Sequence, residues 1–355
     1  MSRFLNEQFQ GLTEYVPGEQ PQDKVYVKLN TNESPFPPSD GVLAVVNSEQ
    51  VKRLNLYPDP DCKPLVNALA KRYDVDTDMV FLTNGSDDIL NFCFMGFCDK
   101  GAVFPDITYG FYEVYANLYG VSYETKALDA QLAIAPADYY QAGKTVVIAN
   151  PNAQTGVMLP LGEIEEIIRQ NPDNLVVVDE AYVDFGGESA IPLTKRYDNL
   201  VVVCTFSKSR SMAGARLGFA IGAKGVIADL NKLKYSTNPY NINRLTQLAG
   251  VAALQEDDYY MENCKEIIRV REYTRAQLQK RGFDVTASKA NFLLAAHPKL
   301  DGKTLYQFLK DNGVLVRYLG MPRIAQYNRI TIGTKAQMDT LLSKIDLALE
   351  ELHNA

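Results

Sequence analysis

Two histidines and five cysteines are the only imidazoles and thiols this 355-residue chain offers a metal ion. His297 and His353 are too few for a histidine-rich metal site. Cys62, Cys93, Cys98, Cys204 and Cys264 are odd in number, scattered and mostly set among apolar neighbours. Without metal-like pairing they read as reduced core thiols, and no metal is expected. Positive charge is also short. Lys and Arg number 36 against 43 Asp and Glu, a formal net charge of −7, which argues against nucleic acid or an anionic membrane as the main partner. No apolar run approaches transmembrane length, and the opening MSRFLNEQFQGL has no apolar core of signal-peptide size. The expected setting is the cytoplasm. With 46% hydrophobic and 22% charged residues, the chain has the composition of a globular protein of roughly two domains.

The first forty residues are rich in Pro and Gly (VPGEQPQ, NESPFPPSD), which predicts an extended arm. Beyond it, short apolar runs alternate with helical patterns. Strands are expected at 80–83, 101–104, 145–149, 175–178, 200–204 and 219–222, and helices at 63–73, 87–97, 111–119 and 161–170. Continuous β-branched runs between helices predict a buried, mostly parallel sheet. After about Pro239 the pattern changes: helices at 245–255 and 257–281, then strands at 283–286, 292–295 and 329–332 mixed with helices. Met338, Leu341, Leu342, Ile345, Leu349 and Leu352 share one face of a last helix, and Thr334 and Gln337 have capping-box spacing at its start. The expected fold class is therefore α/β: an arm at 1–40, a large domain at 41–245 and a smaller α+β domain at 246–355, on which the arm packs.

Four segments could carry chemistry. In VVVCTFSKSRSMAGARLGF (201–219) an apolar strand runs into Thr205, Ser207 and Lys208, with Arg216 eight residues on. A lysine at the end of a buried strand loses hydration, which frees its amine for Schiff-base chemistry. Hydroxyls and an arginine nearby suit a phosphate. In VVVDEAYVDF (176–185) another apolar strand ends in Asp179, at the sheet edge where open α/β sheets bind ligands. A carboxylate there can pair with a protonated pyridine nitrogen, and Tyr182 can donate to a ring oxygen. IANPNAQTG (148–156) runs from a strand into a turn. FLTNGSDDIL (81–90) joins strand to helix through Asn84-Gly85-Ser86-Asp87, where free backbone donors can take a phosphate. Each segment alone also has a plain explanation: a solvated loop lysine, a capping acid, a turn, an N-cap.

Together, in this order and spacing, they resemble the fold-type I pyridoxal-phosphate aminotransferases, and more closely the histidinol-phosphate aminotransferase family. The likeness runs from NTNESPFPPS and LYPDP through NGSDD, PDITYGFY, NPNAQTG, VVDEAYVDF and TFSKSRSMAGARLGF to GVLVRYLG and NRITIGT. It implies pyridoxal phosphate held by Lys208, which also shuttles the substrate's proton. Asp179 is implied at the ring nitrogen, Tyr182 at the ring oxygen, and Tyr109 against the ring. Ser86, Asp87, Thr205, Ser207 and Arg216 are implied around the phosphate. Tyr57, in YPDP, resembles a tyrosine that reaches the neighbouring subunit's cofactor, which implies a homodimer with a shared site. The family's P-N-N-P-T-G becomes Pro151-Asn152-Ala153-Gln154-Thr155-Gly156 here, so the asparagine that contacts the ring oxygen aligns with Ala153. Asn152 is expected to take its place by a one-residue shift.

Arg317 and Arg329, in LVRYLG and NRITIG, can clamp an anion by paired hydrogen bonds, and the resemblance assigns them the substrate phosphate. Tyr15 can close over the substrate. The expected reaction is transamination between two small anionic substrates, L-histidinol phosphate and 2-oxoglutarate, as in histidine biosynthesis. An aromatic or broad-specificity aminotransferase, or a lyase like threonine-phosphate decarboxylase, is an alternative on the same scaffold. A non-catalytic regulator domain fits poorly with the acidic charge and the lack of a DNA-binding segment.

Overall fold

The computed structural model describes residues 4–352; His353 and the side chain of Leu352 lie outside the described part. The chain begins with β1 (Val27–Lys28), α1 (Asp40–Val45), α2 (Ser48–Val51) and α3 (Lys63–Tyr73). There follow β2 (Val80–Thr83), α4 (Ser86–Phe97), β3 (Ala102–Pro105), α5 (Phe111–Tyr119), β4 (Tyr123–Lys126), β5 (Thr145–Ala149) and α6 (Leu161–Arg169). Next come β6 (Val176–Asp179), β7 (Leu200–Thr205), β8 (Gly218–Gly222), α7 (Lys224–Thr237), α8 (Arg244–Gln255) and α9 (Asp257–Lys280). The chain closes with β9 (Asp284–Val285), β10 (Phe292–Ala296), α10 (Gly302–Asp311), β11 (Val314–Leu315), β12 (Arg317–Tyr318), β13 (Tyr327–Thr331) and α11 (Lys335–Leu352).

Seven strands form one sheet in the order β2-β8-β7-β6-β5-β3-β4. Only β8 runs against its neighbours, so the sheet is mostly parallel and the fold is α/β. Strand residues alternate between two faces. Val177, Val201 and Val203 enter a core shared with α4, α5 and α9, whereas Val176, Val178, Leu200 and Val202 enter one shared with α3, α6 and α8. Helices therefore cover both faces, which is why these strands read as unbroken apolar runs. In α6 the buried residues Ile164, Ile167 and Ile168 form one stripe, as its periodicity predicts.

A second, antiparallel sheet has the order β12-β13-β10-β9. Against it and α10 lies α11, with Met338, Leu341, Leu342 and Ile345 buried. Its capping box is closed both ways: Thr334 N–H donates to Gln337 Oε1 at 2.8 Å, and Gln337 N–H to Thr334 Oγ1 at 3.3 Å. The arm joins this region through β1, which pairs in parallel with β11. Helix α8 packs on α1 and α3, so the division expected at 245–246 falls inside a helix that belongs with the large sheet. Strand β4 and helix α7 are among the elements outside the sequence expectation. Strand β4 is an exposed edge strand and lacks the apolar run of its neighbours. In α7 the buried positions are Ile227, Leu230 and Lys234, and a lysine in the stripe hides the period. Among the described residues no helix is long and apolar enough to cross a membrane.

Candidate active site

The carboxyl ends of the parallel strands converge on one cavity. There β6 delivers Asp179, β7 delivers Thr205, Ser207 and Lys208, and β2 turns through Gly85 into α4. Because β8 runs the other way, its start lies at this same edge: Gly218 pairs with both Thr83 and Thr205, which brings Arg216 alongside. The approach is close. A Cβ at Gly218 would lie 2.3 Å from Ser86 N, so only glycine fits. The cavity is lined by Ser86, Asp87, Tyr109, Ala153, Asp179, Tyr182, Thr205, Ser207, Lys208 and Arg216, with Ala181.

At the start of α4, Gly85 supplies no capping side chain, so the first-turn N–H groups stay available to an anion. Arg216 stands over this end, donating to Asp87 Oδ2 at 2.7 Å; Asp87 Oδ1 accepts from the Tyr109 hydroxyl at 2.8 Å. Asp87's carboxylate thus orients Arg216 and Tyr109, and only its backbone is suited to a phosphate. Thr205 Oγ1 and Ser207 Oγ are 3.0 Å apart in a buried hydroxyl pair.

Lys208, half-buried, donates from Nζ to the Thr31 carbonyl at 3.3 Å and sits 5.8 Å from the Tyr182 ring centre. Burial, helped by the Arg329 guanidinium, lowers its amine to about 8, while Glu33 and Asp87 act in the opposite direction. Roughly a tenth to a fifth of the amine is therefore neutral near physiological pH, far more than for an ordinary lysine. Asp179 is buried, and burial raises its carboxyl to about 6. Its Oδ2 accepts from the Tyr112 hydroxyl at 2.8 Å and its Oδ1 from Ala181 N–H at 3.2 Å. Those hydrogen bonds partly restore the charged form. The Tyr182 hydroxyl accepts from Asn32 Nδ2 at 3.1 Å.

Asn152 is not brought to the cavity. Its Oδ1 accepts from the N–H groups of Gln154 and Thr155 at 2.9 and 3.0 Å, and its Nδ2 donates to the Ile107 carbonyl at 2.8 Å. Its side chain is thus tied to the backbone of the turn and of the Ile107 loop, and Ala153 lines the cavity instead. Arg317 and Arg329 are directly opposite across β12 and β13. Arg329 Nη1 donates to the Ala153 carbonyl at 3.1 Å and to Gln154 Oε1 at 2.8 Å. Arg317 donates to the arm, to Val16 O at 2.9 Å and Pro17 O at 3.1 Å. Those bonds hold Tyr15 near the site, its ring stacked on Phe111 at 4.1 Å and 6.2 Å from Tyr109. Tyr57 lies on the surface, 79% exposed, stacked on Tyr240 at 4.7 Å.

Three site residues escaped the sequence reading: Asn32, Tyr112 and Gln154. Asn32 lies in NTNESPFPPS, and its φ of 55° is one that asparagine tolerates better than most residues. Tyr112 and Gln154 have no local mark, because their partners lie 67 and 175 residues away.

The aminotransferase class I and II family model matches residues 24–345. The histidinol-phosphate aminotransferase of Brachyspira hyodysenteriae is 46% identical, over 97% of this chain and 98% of its own length. That of Marinomonas sp. is 47% identical, over 97% and 99%. The fold matches the crystal structure of histidinol-phosphate aminotransferase from Sinorhizobium meliloti in complex with pyridoxal-5'-phosphate, with a TM-score of 0.88, 21% identity and 99% coverage of both chains. At that identity the structural likeness speaks for the fold, and the two sequence relatives speak for the family. This chain belongs to the class I and II aminotransferases, within the histidinol-phosphate aminotransferase family.

Proposed function

We propose that this chain transfers an amino group from L-histidinol phosphate to 2-oxoglutarate, with pyridoxal phosphate as cofactor. One observation carries the reading. Arg329 donates to the carbonyl of Ala153, which lines the same cavity as Lys208, and its buried Nε has no partner. A cation with a free donor beside a reactive amine suits a substrate that joins an amine to an anion.

The residues present fit the cofactor. An uncapped helix start, Ser207, Thr205 and Arg216 supply donors for a phosphate. The crowding at Gly85, where a Cβ would lie 2.6 Å from Arg216 Nη2, keeps the cradle free of side-chain bulk. Asp179 supplies a buried acceptor for a ring N–H, and Tyr182 a hydroxyl beside Lys208. The cofactor, when bound, supplies an electron sink for the pair left when the substrate's amino-bearing carbon loses its proton. Lys208 Nζ, once neutral, takes that proton and holds it for return. Asp179 stays ionised beside a positive partner, while Tyr109 and Tyr15 exclude water from one side.

The same proposal includes a cytoplasmic homodimer. Leu43, Val51, Leu54, Leu56 and Tyr57 form an exposed apolar stretch, of a kind that marks interaction surfaces. A second copy would cover it and receive Tyr57 at its cofactor phosphate. The free cysteines are all buried, which supports a reducing compartment. In this reading the large sheet with α1–α8 binds the cofactor, and the small sheet with α9–α11 and the arm closes over the substrate. Purified holoenzyme should form glutamate from 2-oxoglutarate when given L-histidinol phosphate, and Lys208→Ala should abolish this. Carbon dioxide release from threonine phosphate, or amino transfer from aromatic amino acids alone, would sink the assignment. Mixed Tyr57→Phe and Lys208→Ala subunits should regain part of the activity if sites are shared; no recovery counts against the shared site.

A further inference from the structure

Gln154 follows Ala153 in the turn after β5 and is 8% exposed. Its side chain joins two parts of the site. Nε2 donates to the Thr108 carbonyl at 3.1 Å, in the loop that carries Tyr109, and Oε1 accepts from Arg329 Nη1 at 2.8 Å. Only one amide orientation serves both partners: a half-turn would set N–H against N–H and oxygen against oxygen. The Ala153 carbonyl takes Nη1 as well, at 3.1 Å. Below the guanidinium lies the Phe292 ring, 5.2 Å from its central carbon, which supports the cation's face.

An arginine meets an anion either with its two terminal nitrogens or with the edge formed by Nε and one of them. Here Nη1 is engaged twice, while Nε is buried without a partner. The edge left for a ligand is therefore Nε with Nη2. We propose that Gln154 is a specificity-determining positioning residue, which holds Arg329 so that this edge meets the substrate's anionic group. The inference rests on the reading of Arg329 as that group's partner. Neutrality is part of the role. A carboxylate at 154 would pair with the guanidinium and offset the charge the anion needs, and an apolar residue would leave Nη1 with the Ala153 carbonyl alone, so that the guanidinium is held less firmly edge-on.

The test compares kcat/KM for L-histidinol phosphate with that for L-histidinol, which lacks the phosphate, in wild-type holoenzyme, Gln154→Leu, Gln154→Glu and Arg329→Gln. Calorimetric titration of inorganic phosphate into each holoenzyme gives affinity without turnover. Both Gln154 variants should lower the phosphorylated-to-plain ratio about tenfold, the scale of one hydrogen bond to a charged group, and weaken phosphate binding by a similar factor. Absorbance of the bound cofactor should remain. A purely structural role would slow both substrates alike and leave the ratio intact. If Arg329→Gln collapses the ratio and neither Gln154 variant changes it, the inference is overturned and the role of Arg329 survives. If Arg329→Gln also leaves it unchanged, both fall. Should Gln154→Leu fail to fold, Gln154→Glu, which keeps size and shape, carries the test.

Discussion

Replacing Tyr112 with phenylalanine deletes one hydroxyl from the interior and leaves the ring in place. That ring is fully buried and packs against Phe94, Phe104 and Tyr109 at 5.8–6.3 Å between centres, so packing survives. What is lost is the 2.8 Å hydrogen bond to Asp179 Oδ2. A hydrogen bond to a charged group contributes roughly 1.5–3 kcal/mol, and one between neutral groups about 0.5–1.5. At about 1.36 kcal/mol per tenfold change in proton affinity, the loss lifts the Asp179 carboxyl from about 6 to about 7–8. The direction on stability follows from linkage. Asp179's folded value lies above its ordinary one, so ionising it costs stability as pH rises past about 4, and the cost is complete above the folded value. In the variant the extra cost therefore develops between about pH 6 and 8. Urea denaturation of the cofactor-free protein at pH 5 and pH 8.5 should give a loss larger at the higher pH by on the order of 1–2 kcal/mol. Affinity for pyridoxal phosphate relative to wild type should be lowest below about pH 6 and recover as pH rises past about 8, because the ring nitrogen pairs with the ionised carboxylate; the cofactor's own ionisations cancel in that ratio. An equal loss of stability at both pH values, with unchanged relative affinity, would refute the reasoning.

Gly85→Ala places a side chain at φ 85° and ψ 161°, a region essentially restricted to glycine at a cost of about 1–3 kcal/mol. Arg216 would also be pushed from the cradle, so cofactor affinity should drop at least about tenfold; unchanged affinity would show that Arg216 is not held there. Burial raises Glu180 to about 8, so ionising it costs stability as pH rises from about 4.5, fully so above about 8. Glu180→Gln cannot ionise, and its amide can serve the same Ser189 and Ala190 partners. Its stability relative to wild type should therefore improve by on the order of a few kcal/mol between pH 5 and pH 9. A difference that does not change with pH would count against a strongly raised Glu180.

Much of the site was legible because it is built at strand ends. Asp179 and the Thr205–Lys208 segment each follow an unbroken apolar run, and such a run between helices means a buried parallel strand whose end is a ligand edge. The capping box of α11 was legible for the same reason, since its partners are three residues apart. Asn152 was expected in the cavity because residue type and neighbourhood allowed it. The turn decided otherwise, since three backbone groups took its side chain.

By itself the sequence determined most strands of the large sheet, several of its helices, and which side chains could hold an anion or donate an amine. Those properties depend on neighbours within a few residues, where periodicity, capping and turn chemistry act. Tertiary structure alone decided that Tyr112 serves Asp179, that Asn32 serves Tyr182 across 150 residues, that Arg317 holds the arm, and that Gln154 holds Arg329. Each is a hydrogen bond between distant segments. Its geometry follows from sheet order and strand direction, above all from the reversed β8 that sets Arg216 beside α4, and no local pattern encodes it.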